Sequence, residues 1–304
     1  MEAGHTPVLL TEVLEGLQIE PGGHYIDATT GAGGHSRAIL LASAPTGHLL
    51  CIDSDSRALE RAWHNLADFA SRICFANANF SELRVIAMKN GFDQVDGILM
   101  DLGISSLQLD NAERGFSFQK EGPLDMRLSG RGPSAADLVN NLPETELADI
   151  IWKYGEERQS RRIARSIVKN RPLHRSTELA QLIVRVKGRK GKIHPATKTF
   201  QALRIAVNRE LDALEAALPQ AVKLLVPGGR LAIISFHSLE DRIVKEFFRT
   251  ESRTCICPPE APVCTCDHKA SLLIWNRKVI VPSDQEKAEN RRSRSAKLRV
   301  AERI

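Results

Sequence analysis

Over roughly the first hundred residues, short apolar runs alternate with segments whose apolar residues recur at helical spacing. His24 to Thr29, His48 to Asp53, Arg72 to Ala76 and Val95 to Asp101 read as strands. Between the second and third of these, Ala58, Leu59, Ala62, Trp63 and Leu66 mark a helix, with Asp55 placed to cap it. This alternation predicts parallel strands joined by crossover helices. A fifth strand of the same kind, Arg230 to Phe236, follows Pro227-Gly228-Gly229. It comes about 130 residues after the fourth, far more than a loop of a compact domain needs.

The gap therefore holds structure of its own. Helical stretches fall at Glu144 to Lys153, Arg158 to Asn170 and Glu178 to Val186, and a longer one runs from Ala196 to Leu218 through Phe200, Leu203, Val207, Leu211 and Leu214. The pattern predicts an α/β sheet protein in which residues 1–105 and 211–304 form one discontinuous domain and residues 106–210 a mostly helical insertion. A helix from Leu239 to Arg249, a cysteine-rich loop, a hairpin strand from Leu272 to Val281 and a polar, basic tail complete the chain.

Charge adds a partner to this outline. The net charge of the 304 residues is only +5, but 16 basic and 3 acidic residues lie between Lys153 and Arg209, and 7 basic and 2 acidic residues between Lys287 and Ile304. The rest of the chain is acidic. A basic insertion on an acidic body points to a polyanion, and the Arg158, Arg161, Arg162, Arg165 stretch and the Lys187, Arg189, Lys190, Lys192 cluster are the candidate RNA contacts. No apolar run approaches the roughly 20 residues of a membrane span. The start carries Glu2 and Glu12 and no basic leader, so it does not read as a secretory signal. Cys51 and Cys74 stand alone in strand-like runs while Cys255, Cys257, Cys264 and Cys266 crowd together, which fits a reducing cytoplasm better than a disulfide framework.

The segment Tyr25 to Ser36, YIDATTGAGGHS, ends a strand and opens a helix through Gly31, Gly33 and Gly34. Glycines there allow a tight turn and close approach of backbone N–H groups to a ligand. Asp53, at the end of the next strand about 20 residues on, is placed to accept from both hydroxyls of a ribose. A dinucleotide and S-adenosylmethionine both meet these requirements. Asp27, just before the glycine turn, would repel a pyrophosphate and attract an ammonium or sulfonium, which favours the methyl donor. Phe80, after the third strand, can pack on adenine, and Asp101, after the fourth, faces the reacting centre.

Taken together, YIDATTGAGGHS, DGILMDLGISSLQLD (Asp96 to Asp110), ERGFSF (Glu113 to Phe118), GPLDMR (Gly122 to Arg127), TFQALRIAVNREL and IISFHSLEDRIVK resemble the RsmH (MraW) family. The likeness runs from HTPVLL at His5 to the tail RSRSAKLRVAER. It implies a class I, Rossmann-like methyltransferase sheet with an inserted helical domain, S-adenosylmethionine as donor, and methylation of the exocyclic N4 amine of a cytidine in the decoding centre of 16S ribosomal RNA. The implied partner is the small ribosomal subunit, in the cytoplasm. Matched position by position, the family's cofactor contacts fall on Gly33, Gly34, His35, Asp53, Phe80, Asp101 and Gln108. His35 and Gln108 come from the resemblance alone.

The cytosine amine has its lone pair delocalised into the ring, so acceptors for its hydrogens are the expected equipment. Many amine methyltransferases carry Asp/Asn-Pro-Pro-aromatic at this place. Here it reads Asp101-Leu102-Gly103-Ile104-Ser105-Ser106, leaving Asp101, with the carbonyls just after it, to accept from the target amine or to orient the cofactor amino group beside it, and Ser105 and Ser106 as secondary candidates. Phe116 and Phe118 are candidates for stacking on an extruded base, and His237, Glu240, Asp241 and Arg242 for a site role or a capped helix. The four crowded cysteines have the ligand number of a zinc site, but each pair is separated by one residue rather than the usual two to four, and no metal is assigned. The competing readings are a nicotinamide-dependent oxidoreductase, a non-catalytic rRNA-binding assembly factor and an amine methyltransferase acting on DNA.

Overall fold

In the computed structural model, which describes residues 7–188, 193–258, 261 and 263–304, the chain divides into two compact units, Met1–Gly103 with Leu211–Ile304, and Ile104–Glu210. The first unit carries a seven-stranded sheet: β1 (His24–Asp27), β2 (His48–Asp53), β3 (Ile73–Asn77), β4 (Val95–Asp101), β5 (Leu225–Ser235), β6 (Leu272–Ile274) and β7 (Lys297–Arg303). Their order is β3-β2-β1-β4-β5-β7-β6. The first five are parallel, and β7 runs antiparallel between β5 and β6. This is the expected Rossmann-like α/β arrangement.

Strands covered on both faces need apolar residues on both, which is why they read as continuous runs. Ile26, Leu50, Ile52, Ile98, Met100, Leu231 and Ile233 pack on one side with Leu83, Leu214 and Leu218. Tyr25, Leu49, Cys51, Leu99, Ala232 and Ile234 pack on the other with Val13, Leu17, Ile39 and Leu40. At about 25 cal/mol per Å² of apolar surface, these two layers supply the main drive for the sheet to form.

Four features differ from the expectation. The basic tail ends in a strand: Leu298, Val300 and Ala301 are buried, while Lys297 and Arg299 both reach Asp241, at 2.9 and 2.8 Å. The hairpin strand is correspondingly short, with only a bridge from Ile280 to Leu298 beyond Ile274. The long helix is two helices, Thr197–Asn208 and Glu210–Leu224, broken at Arg209 by a left-handed backbone (φ 51°). β5 starts at Leu225, and the Pro227-Gly228-Gly229 turn is absorbed as an irregularity in its ladder with β4.

The second unit has its own core, in which Leu147, Ile151, Ile163, Ile167, Leu179, Ile183, Phe200 and Leu203 are buried. Its main helices are Ala135–Asn141, Glu144–Gly155, Ser160–Lys169, Ser176–Lys187 and Thr197–Asn208. The first of these escaped the apolar pattern. Its capping box, Ser134 with Asp137, was the available signal. Helix Ser160–Lys169 buries Ile163, Ala164 and Ile167 and leaves Arg161, Arg162, Arg165 and Lys169 exposed.

Candidate active site

Parallel strands bring their carboxyl ends to one edge, and a crevice opens where the connections diverge, here between β1 and β4. The turn after β1 folds back on itself: the Gly33 N–H donates to the Thr30 carbonyl at 2.8 Å, and Thr30 N–H to the Ile52 carbonyl of β2 at 3.0 Å. Gly31 and Gly33 have φ of 55° and 85°. Gly33 precedes the helix Gly34–Ala42 with no side-chain cap, so the first N–H groups of that helix have no intrahelical acceptor. A Cβ on Gly33 would lie 2.9 Å from Leu66 Cδ1 and one on Gly34 2.7 Å from Pro7 Cγ, whereas Gly31 faces open space. The first two glycines allow close packing behind the turn, and Gly31 leaves room in front of it.

Three carboxyl groups stand around this turn. Asp53, at the end of β2, accepts from Gly31 N–H and Asp55 N–H, both at 2.8 Å. A carboxylate at this strand end is the acceptor type that ribose hydroxyls require. Asp27 is buried, accepts from Ser36 Oγ at 2.7 Å and Thr29 N–H at 3.2 Å, and so ties the two ends of the turn together. Asp101 ends β4. Its N–H donates to Thr29 Oγ1 at 2.5 Å, its Oδ2 lies 3.7 Å from His35 Nδ1, and its Oδ1 is buried without a hydrogen-bond partner. His35 is itself buried, and its Nε2 donates to the Val8 carbonyl at 3.0 Å, which turns Nδ1 toward Asp101.

Burial pushes Asp101 well above the usual carboxylate range, and the negative charges of Asp27 and Glu240 push it further. Among the described residues, no Lys or Arg forms an ion pair with Asp27 or Asp101. A buried and a partly buried carboxyl, neither paired with Lys or Arg, at the switch point of the sheet form a seat for a positively charged ligand.

Burial also raises Asp27 from 3.8 to about 6, against the lowering effect of Ser36 and Thr29. The folded chain then holds this proton more tightly than the unfolded one. The stabilisation that follows is complete below about pH 4 and lost as pH rises through about 6, a difference of about 3 kcal/mol. Urea unfolding of the ligand-free protein and of Asp27→Asn at pH 4 and pH 7 measures it. The stability of the natural protein relative to the variant is expected to fall by about that amount at the higher pH. A pH-independent difference would show that Asp27 does not titrate in this range.

Phe80 begins a short helical turn after β3, capped by Asn79, and is half-buried against the sheet core. Gln108 lies in the second unit, where its Oε1 accepts from Ser105 N–H at 2.9 Å while its own N–H donates to Ser105 Oγ at 3.3 Å. This reciprocal cap opens the helix Ser106–Asp110 and gives both residues a local structural task. The side chain of Ser106 lies outside the described residues. Thr29 and Ser36, which fasten the turn, were missed from sequence because a hydroxyl beside a glycine turn carries no distinguishing pattern.

Other candidates take structural roles. Phe116 is buried in the core of the second unit, and Phe118 stacks on His194 at 4.4 Å with its edge contact to Phe200, so the expected base-stacking faces are turned on the protein itself. Glu240 accepts from the N–H groups of Phe236 and His237 and, with His237, caps the helix Ser238–Glu251. Asp241 clasps β7. Lys187 pairs with the buried Glu157 and donates to the Pro195 carbonyl at 3.1 Å, which removes it from the expected basic cluster. Arg189, Lys190 and Lys192 lie outside the described residues.

The family model for the MraW methylase family matches residues 2–304. The ribosomal RNA small subunit methyltransferase H of Dehalococcoides mccartyi strain BAV1 is 57% identical over 306 residues, covering 100% of this chain and 88% of the relative. That of Thermomicrobium roseum is 53% identical over 305 residues, covering 99% and 94%, and that of Heliobacterium mobile 51% identical over 312 residues, covering 100% of both.

Proposed function

The chain belongs to the MraW methylase family and is an S-adenosylmethionine-dependent methyltransferase of ribosomal RNA, and from that premise we propose that its acceptor is the exocyclic N4 amine of a cytidine in the decoding centre of 16S rRNA. The observation that carries the donor site is the pairing of the buried Asp27 with the partly buried Asp101 beside a glycine turn, with no Lys or Arg partner among the described residues. A pyrophosphate would be repelled there, and a sulfonium or ammonium is attracted. The residues fit the donor: Gly31 leaves space before the turn, and the buried Asp101 Oδ1 lacks the partner that a bound group would supply.

When bound, S-adenosylmethionine supplies a methyl carbon made electrophilic by its positively charged sulfur. Asp53 accepts from the ribose hydroxyls, Phe80 offers its ring to adenine, and the turn at Gly33, Gly34 and His35 fixes the depth of the site. His35 fixes the orientation of Asp101. Asp101, with the carbonyls after it, accepts hydrogens of the target amine, which favours a pyramidal nitrogen with an available lone pair, and takes the surplus proton. Because the chain lacks the Pro-Pro-aromatic continuation, this duty rests on one carboxyl and the backbone rather than on a side-chain amide.

The second unit is the RNA-recognition module in this reading. Arg161, Arg162, Arg165 and Lys169 line the exposed side of one helix, with Arg158 exposed just before it, an arrangement suited to backbone phosphates. The substrate is the small ribosomal subunit or its precursor, in the cytoplasm. Nucleoside mass spectrometry of 16S rRNA from cells with and without the gene tests the assignment. N4-methylated cytidine is expected to be lost without the protein and restored by the natural chain. An unchanged profile, or a lost methyl on another base or on cytosine carbon, would refute it.

A further inference from the structure

The loop between the helix Ser238–Glu251 and β6 holds four cysteines that the methyl-transfer site does not use. No described residue of 252–271 is buried, and its apolar side chains Ile256 and Val263 are 46% and 70% exposed. The loop is pinned at its base, where Ser271 N–H donates to the Glu251 carbonyl at 2.8 Å and His268 Nε2 bonds the Thr250 carbonyl at 3.1 Å. Beyond that base, the described residues form no apolar core to offset the entropy of ordering the loop.

The loop nevertheless gathers its sulfurs. Cys264 Sγ lies 3.6 Å from Cys266 Sγ, Cys266 Sγ 3.8 Å from Cys255 Sγ, and Cys257 Sγ 4.0 Å from Cys264 Sγ, with all four within 4.8 Å of one another. Zinc–sulfur bonds of about 2.3 Å in a tetrahedron set sulfur separations of about 3.8 Å. A disulfide needs about 2.0 Å. Two backbone N–H groups, of Ile256 and Thr265, also point at Cys266 and Cys257 sulfur at 3.4 Å, the second shell that thiolate ligands require. The one-residue spacing that argued against a metal is overcome by bending the chain, with Asp267 in a left-handed conformation (φ 48°) directly after the last cysteine.

We propose that Cys255, Cys257, Cys264 and Cys266 bind one zinc ion as a closed tetrathiolate site. Each thiol releases its proton to solvent as its zinc–sulfur bond forms, and nothing is oxidised. With four protein ligands the metal has no open position for substrate, so its task is structural. The helix Ser238–Glu251 carries the chain away from the carboxyl end of β5, and β6 resumes at Leu272 opposite Arg303, at the end of the β5–β7 ladder where Arg230 pairs with Glu302. The clip therefore lies at the opposite end of the sheet from the donor site, where it holds the short edge strand β6.

The test uses the full chain purified under reducing conditions without chelator. Elemental mass spectrometry is expected to find about one zinc per chain, and cobalt added to chelator-stripped protein should give the intense visible and near-ultraviolet bands of tetrahedral sulfur ligation. Cys257→Ser with Cys264→Ser should lose the zinc while Cys74→Ser keeps it, and donor affinity measured by calorimetry should change less than about twofold in either. Zinc-free natural protein with four reactive thiols and no cobalt bands would overturn the proposal. So would two disulfides in the intact mass of the same preparation, or zinc retained by the double variant.

Discussion

Single-turnover methyl transfer by Asp101→Asn is expected to be about 10²- to 10⁴-fold slower at saturating donor. The change keeps the size of the side chain and one acceptor oxygen. It replaces the other with an amide NH₂ directed where amine hydrogens must be accepted, and it leaves no base to take the proton. Asp101 is raised well above the usual range by burial and by Asp27 and Glu240, so only its ionised form is productive and the rate of the natural enzyme should rise with pH. The variant should lose that acidic limb. A purely orienting role for Asp101 predicts something else: weaker donor binding with an unchanged rate at saturation. That result would remove it from the chemical step. The pH–rate profile separates the two because a structural defect lowers the rate without abolishing the titration.

Gly122→Ala should be the most damaging small substitution for stability. A Cβ there would lie 1.8 Å from the Ala112 carbonyl oxygen and 2.7 Å from its carbon, and both are backbone atoms that no rotamer can move. The facing residue is equally confined: a Cβ on Gly115 would meet the Pro123 carbonyl oxygen at 2.0 Å, and Gly115 has φ of 68°. Segments 112–115 and 122–125 thus lie backbone against backbone. Arg114 extends this interlock by donating to the Arg127 and Leu128 carbonyls, at 2.9 and 2.8 Å. A loss of about 4 kcal/mol or more is expected, in the range reserved for backbone clashes and buried overpacking. Gly130→Ala is the control. Like Gly115 it has a positive φ, at 70°, but open space around it, so it should cost only about 1 kcal/mol of backbone strain. Chemical denaturation and limited proteolysis compare the two, and calorimetry of the donor shows whether the sheet unit survives. Equal stability of both variants would show that the 112–125 segment is not packed this way.

These predictions also explain why ERGFSF and GPLDMR are unusual sequences. Read as a loop motif near a reacting centre, ERGFSF offers aromatic faces for a base. In the folded chain Phe116 is core, Gly115 and Gly122 permit the backbone contact, and Asp125 takes a bidentate grip on Arg127, at 2.9 and 2.8 Å, that lowers its carboxyl below the usual range. The SFHSLEDR segment behaves similarly. Its Glu240 caps a helix and its Asp241 holds β7 by two cations. A distinctive motif marks a demanding local geometry, whether or not that geometry touches a ligand.

Local sequence determined the parallel strands and the donor side of the sheet. β2 and β4 are legible to the residue because a strand covered on both faces is apolar through its middle, and its end is marked by a carboxylate, Asp53 or Asp101. The glycine turn is legible because only glycine tolerates its positive φ and close packing. Tertiary structure decided what depends on a distant partner. Lys297 to Arg303 reads as a solvated basic tail until β5 presents an unpaired edge and Asp241 neutralises two of its cations. The helix break at Arg209 leaves no mark in an unbroken apolar period. The gathering of four sulfurs depends on a backbone bend that spacing alone argued against. Burial patterns and turn geometry are properties of a few adjacent residues, whereas edge pairing, charge compensation and ligand clustering exist only once remote segments meet.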